Sequence, residues 1–206
     1  MYVPRHFSIE DHARMVDFMR CNSFALLTTC TDTGPFVSHL PLLHVEGGAQ
    51  GKLIGHMARA NPQWRHFASG KEALVVFWGP HAYISPAWYD TPNQVPTWNY
   101  TAVHAYGVPK VLSDPKVKHE SQRRLVAALD PQWLPQFDAL RPEYVERMLE
   151  GIVNFQIAVT RLETRWKLSQ NRSRREQELI AEQLERSGDS VERALAALTR
   201  KHLPGE

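Results

Sequence analysis

The segment HMARANP, at residues 56–62, has the residue types of an anion site. It follows a short apolar run, and Asn61-Pro62 is typical of a helix N-cap followed by proline at the first helical position. Such a helix start presents N–H groups and the positive end of the helix dipole, which together attract anions. Arg59 can add a bidentate contact to a phosphate. A capped surface helix beside an unrelated arginine would have the same sequence, so both interpretations stay open.

Two further segments combine polar and aromatic side chains. RWKLSQNR, at residues 165–172, places cations, amides and an indole directly after a predicted strand. Amides both donate and accept, so this set can hold a phosphate or the edge of a planar heterocycle. VPTWNY, at residues 95–100, suits stacking on a flat ligand. The alternatives are a capping loop for the first segment and a core or interface cluster for the second.

Several other chemistries lack their motifs. The chain has no HExxH or paired CxxC for a metal, no GxSxG nucleophile elbow, and no Walker or GxGxxG phosphate loop. His39, His44 and His56 lie on neighbouring predicted strands, where structural histidines are commoner than metal ligands. We therefore predict neither a metal site nor a side-chain nucleophile.

Composition indicates one domain with a sizeable core, since the 206 residues are 43% hydrophobic and 22% charged. A net charge of +2 is too small for a general nucleic-acid binder. Residues 161–175 are basic and residues 176–192 acidic, which fits a solvated face or mutual neutralisation. No apolar run is long enough to span a bilayer, the first residues do not resemble a signal peptide, and only two cysteines are present. We expect a cytoplasmic protein.

Periodicity and turn residues predict the elements that must position these segments. Ser8 is expected to cap a helix over residues 9–20, and Asn61 a short helix ending before Gly70. The predicted strands are residues 23–30, 36–45, 52–58, 73–78, 82–85, 98–112 and 153–159. Residues 86–96 are predicted to be a loop, and helices are predicted from Pro115 to Leu129, from Pro142 to Gly151, and after Asn171.

Six or seven short antiparallel strands with interspersed helices predict a small β-barrel of the mainly β, α+β class. The final ~35 residues are expected to form a helical extension. The predicted division is a barrel domain at residues 1–171 and an extension at residues 172–206.

Six segments together resemble the PaiB family of FMN-binding proteins. They are MYVP (1–4), HF (6–7), HMARANP (56–62), ISPAWY (84–89), VPTWNY (95–100) and KLSQNR (167–172), in order over residues 1 to about 175. The resemblance implies an antiparallel split β-barrel related to the pyridoxamine-phosphate oxidase group. It also implies a homodimer with FMN in a cleft at the subunit interface. PaiB-like proteins are described as negative transcriptional regulators.

The resemblance also implies which residues bind FMN. Arg59 and the amides around Ala60 and Asn61 are expected to hold the phosphate, and Ser38, His39 and Leu40 to line the isoalloxazine ring. The other residues expected at the cofactor are His56, Ala58, Trp98, Asn99, Lys167, Ser169, Gln170 and Asn171.

Three functions remain open from the sequence. The first is an FMN-binding regulator that senses flavin or redox state. The second is a flavin-dependent oxidoreductase acting on a small molecule, with residues 86–96 as a lid. The third is a non-catalytic flavin store or a barrel that has lost FMN. Residues 173–186 and 190–200 can imitate a helix-turn-helix, but the second helix is nearly neutral. The basic run at residues 172–175 is then the DNA-facing candidate.

Overall fold

The computed structural model describes residues 1–91 and 94–203, so two residues of the predicted loop at 86–96 lie outside the described residues. The strands are β1 (Phe24–Thr31), β2 (Gly34–Val45), β3 (Lys52–Ala58), β4 (Ala73–Ile84), β5 (Thr97–Leu112) and β6 (Ile152–Lys167). They form a closed barrel in the order β1-β2-β3-β6-β5-β4. The predicted antiparallel barrel with helices is confirmed.

The α-helices are α1 (His12–Cys21), α2 (Pro115–Leu129), α3 (Leu134–Asp138), α4 (Pro142–Glu150), α5 (Arg174–Glu185) and α6 (Ser190–Lys201). Short 3-10 helices cover Arg5–Phe7, Pro62–Ser69 and Pro86–Trp88. In the part of the chain that the structure describes, no helix has both the length and the apolar character needed to cross a membrane. The helices predicted at Pro115 and Pro142 and the helical extension after Asn171 are confirmed.

Strand β3 leads to the predicted anion site. The position of this strand depends on the close approach of its neighbours at Gly55. Strand β3 pairs with β2 and with β6, and Gly55 lies opposite Phe155. A Cβ atom at Gly55 would lie 2.4 Å from the Leu42 side chain, so a larger residue would push the strands apart. The strand then ends at Ala58, immediately before Arg59.

The chain divides into two compact units, each with its own core. The first unit comprises Met1–Met15, Trp78–Val103 and Glu163–Glu206, and the second Val16–Phe77 and His104–Leu162. Fully buried side chains of the first unit include Ile84, Leu168, Ile180, Leu184 and Leu195. Those of the second include Leu27, Leu42, Leu53, Phe77 and Phe155. The predicted boundary at residue 171 stays a prediction.

The start of α1 differs from the prediction, because Asp11 rather than Ser8 caps the helix. The Asp11 carboxylate accepts from the backbone N–H groups of Ala13 and Arg14 at 3.0 and 3.3 Å. The backbone N–H of Ile9 donates to the Thr164 hydroxyl, and that hydroxyl donates to the Ile9 carbonyl. These two bonds keep Ile9 outside the helix.

Two other elements differ from the prediction. Gly79-Pro80 was expected to separate two strands, but β4 is continuous from Ala73 to Ile84. The fixed φ angle of proline is compatible with a strand, and the residue lacks only the backbone N–H donor. A strand can therefore contain proline where no neighbouring strand needs that N–H. The short helix α3 was not predicted, since residues 134–138 are too few to show a helical period.

Candidate functional site

Asn61 begins the 3-10 helix Pro62–Ser69, as predicted, and its side chain is fixed at both ends. The side-chain Oδ1 accepts from the backbone N–H of Gln63 at 3.0 Å. The Nδ2 group donates to the Ser38 hydroxyl on β2 at 2.9 Å. Asn61 therefore joins the helix start to the neighbouring strand and holds the turn at residues 58–61 in place.

Gln63 supports this turn from below and was missed by sequence reasoning. Its side chain is fully buried, and its Nε2 group lies within hydrogen-bond distance of three acceptors. These are the Leu27 carbonyl at 2.9 Å, the Thr29 hydroxyl at 3.2 Å and the Phe36 carbonyl at 3.0 Å. A glutamine in the first turn of a surface helix carries no sequence signal of burial, so only the fold could show this role.

Arg59 is exposed, and part of its guanidinium already binds backbone carbonyls. Nε donates to the Glu150 carbonyl at 2.5 Å, and Nη2 donates to the Ile152 carbonyl at 3.1 Å. The first bond caps the end of α4, where carbonyls lack partners within the helix, and the second joins Arg59 to the start of β6. Nη1 has no protein partner among residues 1–91 and 94–203. The guanidinium is thus held in one orientation with donors left for an external anion.

The electrostatic surroundings of Arg59 are positive. The Lys118 ammonium lies near it, half-buried, and donates to the Leu149 carbonyl at 2.5 Å. Burial lowers the pKa of Lys118, the Arg59 guanidinium lowers it further, and Glu150 opposes both. The two cations lie close enough to disfavour each other's charge. A bound anion would therefore stabilise the charged form of both.

The three residues predicted on β2 do not share one face. Ser38 and Leu40 are each 8% exposed, whereas His39 between them is exposed. Side chains alternate along a strand, so His39 points away from the other two. Its ring stacks on Phe24, with ring centroids 6.3 Å apart. The fold therefore brings Ser38 to Asn61 but directs His39 elsewhere.

His56 and Ala58 lie at the end of strand β3, just before Arg59. The His56 Nδ1 atom lies 3.0 Å from the Nε2 atom of Gln122 on α2, which donates to it. Burial lowers the pKa of His56 and so favours the neutral ring. Ala58 is exposed at the end of the strand and accepts from the Asn61 N–H.

The second predicted set lies in the first unit, with Asn99 and Ser169 at its centre. Both side chains are buried, and Asn99 Nδ2 donates to the Ser169 hydroxyl at 2.9 Å. The Ser169 hydroxyl also lies 3.2 Å from Asn99 Oδ1. Ser169 has a φ of 65°, a left-handed conformation that is unfavourable for a non-glycine residue. This pair fixes the end of β6.

The neighbours of Ser169 are also engaged within the chain. Lys167 Nζ donates to the Thr97 hydroxyl, and burial followed by the nearby Arg165 charge lowers the pKa of Lys167. The Gln170 amide accepts from the Leu168 N–H at 2.7 Å and donates to the Trp166 carbonyl at 2.5 Å. Asn171 is exposed. The segment has polar groups, but the structure uses most of them to shape a turn.

Trp98 belongs to an exposed aromatic cluster, which we define as Trp78, His81, Tyr83 and Trp98. The three large rings are between 45% and 56% exposed. The Trp98 ring lies 6.4 Å from His81 and 6.1 Å from Tyr83, and Trp78 Nε1 donates to His81 Nδ1 at 2.9 Å. Exposed apolar clusters of this kind are typical of protein interfaces and ligand-binding grooves. The sequence indicated Trp98 alone, because its neighbours are on a different strand.

Comparison with known proteins identifies the family. Residues 1–161 match the family described as "Putative FMN-binding domain", which is well over half of the chain. The chain belongs to this family. It is 36% identical over 204 residues to "Protease synthase and sporulation protein PAI 2" of Bacillus subtilis (strain 168), covering 98% of both chains. The resemblance to PaiB is thereby confirmed, and the chain is an FMN-binding protein of the PaiB type.

Solved structures with the same fold are more distant in sequence. The flavocytochrome Anf3 from Azotobacter vinelandii is 16% identical, with a TM-score of 0.62, covering 80% of this chain and 72% of that one. The FAD and heme binding protein from Mycobacterium smegmatis is 15% identical, with a TM-score of 0.56, covering 78% and 73% respectively. At this identity they support the split-barrel fold.

The residues present fit FMN as the cofactor of this family. A phosphate needs directed N–H donors and positive charge, and the turn at residues 58–61 has both in the partly unpaired guanidinium of Arg59 and the neighbouring Lys118. When bound, FMN supplies an isoalloxazine ring that accepts and donates hydride or electrons.

Proposed function

We propose that the FMN phosphate binds at the turn formed by residues 58–61, where Arg59 provides the charge. This proposal rests on the fixed guanidinium of Arg59, with Nε on the last carbonyl of α4, Nη2 on the first carbonyl of β6, and Nη1 without a protein partner among the described residues. A guanidinium held in place before binding loses little side-chain entropy when an anion arrives. Ser38 and Asn61 hold the turn itself, so their role is to position it.

The proposal keeps the remaining predicted contacts of the second unit, which are Ser38, Leu40, His56, Ala58, Ala60 and Asn61. It also keeps His39 as a ring contact, on the opposite, exposed face of β2. Trp98, Asn99, Lys167, Ser169, Gln170 and Asn171 are a separate proposed set of cofactor contacts. Asn99 and Ser169 mainly bond each other, which supports a role in shaping the backbone rather than in direct recognition.

The biological role we propose is that of a flavin-responsive negative regulator of transcription in the cytoplasm. The similarity to a protein named for protease synthesis and sporulation supports a regulatory role, and both cysteines are free, as in a reducing compartment. A flavin-dependent oxidoreductase stays the alternative, and no contact among residues 1–91 and 94–203 favours it over regulation.

Regulation through other molecules is better supported than direct DNA binding. The basic residues of segment 161–175 already have partners within the chain. Arg161 pairs with Glu72, Arg172 stacks on Tyr89 at 4.5 Å, and Arg174 pairs with Glu178 at 3.0 Å. Cations engaged in this way contribute less to a phosphate backbone. Arg175 lies 3.6 Å from Asp90, and both are exposed.

A homodimer with FMN at the subunit interface is part of the proposal. The aromatic cluster supports it, since Trp78 and Trp98 are each more than half exposed. Aromatic side chains are enriched at the centres of protein interfaces, where their burial contributes strongly to affinity. Light scattering at micromolar concentration with FMN present tests this part, and a monomer would contradict it.

A comparison of FMN with riboflavin tests the phosphate assignment, because the two ligands differ only in the phosphate. Arg59→Ala should weaken FMN binding about tenfold or more, as expected for a lost charge-assisted hydrogen bond. Riboflavin affinity should not change. Arg65→Ala is the matched control, because Arg65 is exposed on the adjacent 3-10 helix and its guanidinium lies over the Trp64 ring.

The measurement is fluorescence quenching of each flavin, with circular dichroism to confirm that the variants are folded. Equal loss of FMN and riboflavin binding in Arg59→Ala would mean that the residue acts on the fold or on the ring. Unchanged FMN affinity would remove Arg59 from the site.

A further inference from the structure

A cavity of 660 Å³ lies among α2, α3 and α4, in the helical insertion between β5 and β6. This volume is within the range of small-molecule sites. One wall is apolar and consists of Phe137, Leu140, Val145 and Leu149. The cavity is within the second unit, and no predicted cofactor residue lines it.

The charged side chains of the cavity differ in whether they have partners. Asp138 forms a two-bond ion pair with Arg123, at 2.8 and 2.9 Å, and Glu120 pairs with Arg124. Lys118 forms no ion pair within the described part of the chain. Its ammonium is half-buried and donates one bond, to the Leu149 carbonyl, which leaves two N–H donors. Glu150 lies close enough to favour the charged ammonium but does not reach ion-pair distance from it, so the half-buried cation still favours an anionic ligand.

The other charges limit what that anion can be. Glu146 and Glu150 also line the cavity and would repel a dianion such as a phosphate monoester. Lys116 also lines the cavity but is exposed to solvent, whereas Lys118 is half-buried. A single carboxylate attached to an apolar body matches Lys118 and the apolar wall. We propose that this cavity binds a small organic carboxylate with an apolar body, held by Lys118, and that its binding weakens FMN affinity.

The link to FMN rests on the proposed phosphate site at Arg59. Lys118 binds the Leu149 carbonyl, while Arg59 binds the next carbonyls along the chain, those of Glu150, Gly151 and Ile152. The two cations lie close enough for each to affect the other's charge. A carboxylate on Lys118 cancels positive charge near Arg59 and so reduces the attraction for the FMN phosphate. Coupling of this kind is reciprocal, so FMN must weaken the carboxylate equally.

The first experiment is calorimetric titration of flavin-free protein with 3-phenylpropionate, phenylalanine and 2-phenylethylamine. The carboxylates should bind, and the amine, which lacks a carboxylate, should not. Phenylalanine distinguishes a plain acid from one that also carries an ammonium group for Glu146 and Glu150. No heat from either carboxylate at millimolar concentration, or equal binding of the amine, would overturn the proposal.

Variants separate ligand recognition from the structural role of Lys118. Lys118→Gln keeps a donor for the Leu149 carbonyl but removes the charge, and it should weaken carboxylate binding about tenfold. Lys110→Gln is the control, since Lys110 is exposed outside the cavity. Leu140→Trp should fill the apolar wall and abolish binding while the circular dichroism spectrum stays unchanged. Wild-type affinity in Lys118→Gln would overturn the assignment.

The coupling is measured by titrating FMN with and without saturating 3-phenylpropionate. FMN affinity should fall by a few-fold in the wild type and stay constant in Lys118→Gln. An unchanged wild-type affinity would overturn the link to FMN. If the protein takes up no flavin, the function proposed above fails, while calorimetry on flavin-free protein still decides the carboxylate site.

Discussion

The two polar clusters that the sequence nominated for the cofactor differ in how their side chains are used. At the turn of residues 58–61, Asn61 and Gln63 build the scaffold, and Arg59 keeps donors that no described protein group takes. At the end of β6, Asn99 and Ser169 bond each other in a buried site. Polar residues in a motif can therefore either bind a ligand directly or support the backbone around the site. The difference is whether a charged donor is left unpaired at the surface.

Replacing the support beneath Arg59 should have the largest effect. Gln63→Leu leaves the Leu27 and Phe36 carbonyls and the Thr29 hydroxyl without their buried donor. We expect a loss of about 3 kcal/mol in the free energy of unfolding, because unsatisfied buried polar groups are costly. Urea denaturation measures it, with Gln136→Leu, on an exposed position of α3, as the control. A loss no greater than that of the control would show that Gln63 is not the scaffold.

The support at the end of β6 should contribute less, because it is one pair. Ser169→Ala should cost about 2 kcal/mol, since it leaves the buried Asn99 amide without a partner and keeps the left-handed backbone. The double-mutant cycle with Asn99→Ala should give a coupling energy of about 1 kcal/mol. Additive effects in thermal denaturation would mean that the two side chains act independently.

Removing the cation of the second cluster tests whether the two clusters differ in their contribution to FMN affinity. Lys167→Met should weaken FMN binding by about threefold or less, since a cation already bonded to a protein hydroxyl and partly screened contributes little. Arg59→Ala should have a clearly larger effect in the same fluorescence titration. The reverse order would place the phosphate at Lys167 and the scaffold at Arg59.

The smallest effect should come from two half-buried histidines, one in each unit. Burial lowers the pKa of His56 and of His202 below the ordinary value of 6.5. The unfolded chain then binds more protons than the folded one, so this stability is complete above pH 6.5 and is lost as pH falls below it. His56→Gln and His202→Gln should each flatten the decline in melting temperature between pH 7 and pH 5. An unchanged slope in both variants would exclude burial as the cause.

Local sequence patterns predicted most of the strands and helices. Strand alternation at Val153, Phe155, Ile157 and Val159, all buried, predicted the first half of β6, which continues to Lys167, and Asn61-Pro62 predicted the helix start. These signals are local, because caps and alternation depend on neighbours in the chain. For the same reason, the motif at residues 56–62 was enough to indicate an arginine next to a helix start.

Which side chains are free to bind a ligand depends on contacts between distant parts of the chain. Arg59 binds carbonyls about 90 residues further along the chain, Gln63 reaches β1 and β2, and the cavity beside Lys118 is enclosed by three helices. His39 faces away from Ser38 and Leu40 because the register of β2 in the barrel assigns each face. Hydrogen bonds and burial between distant segments depend on how the strands close, and no pattern within a short window records that closure.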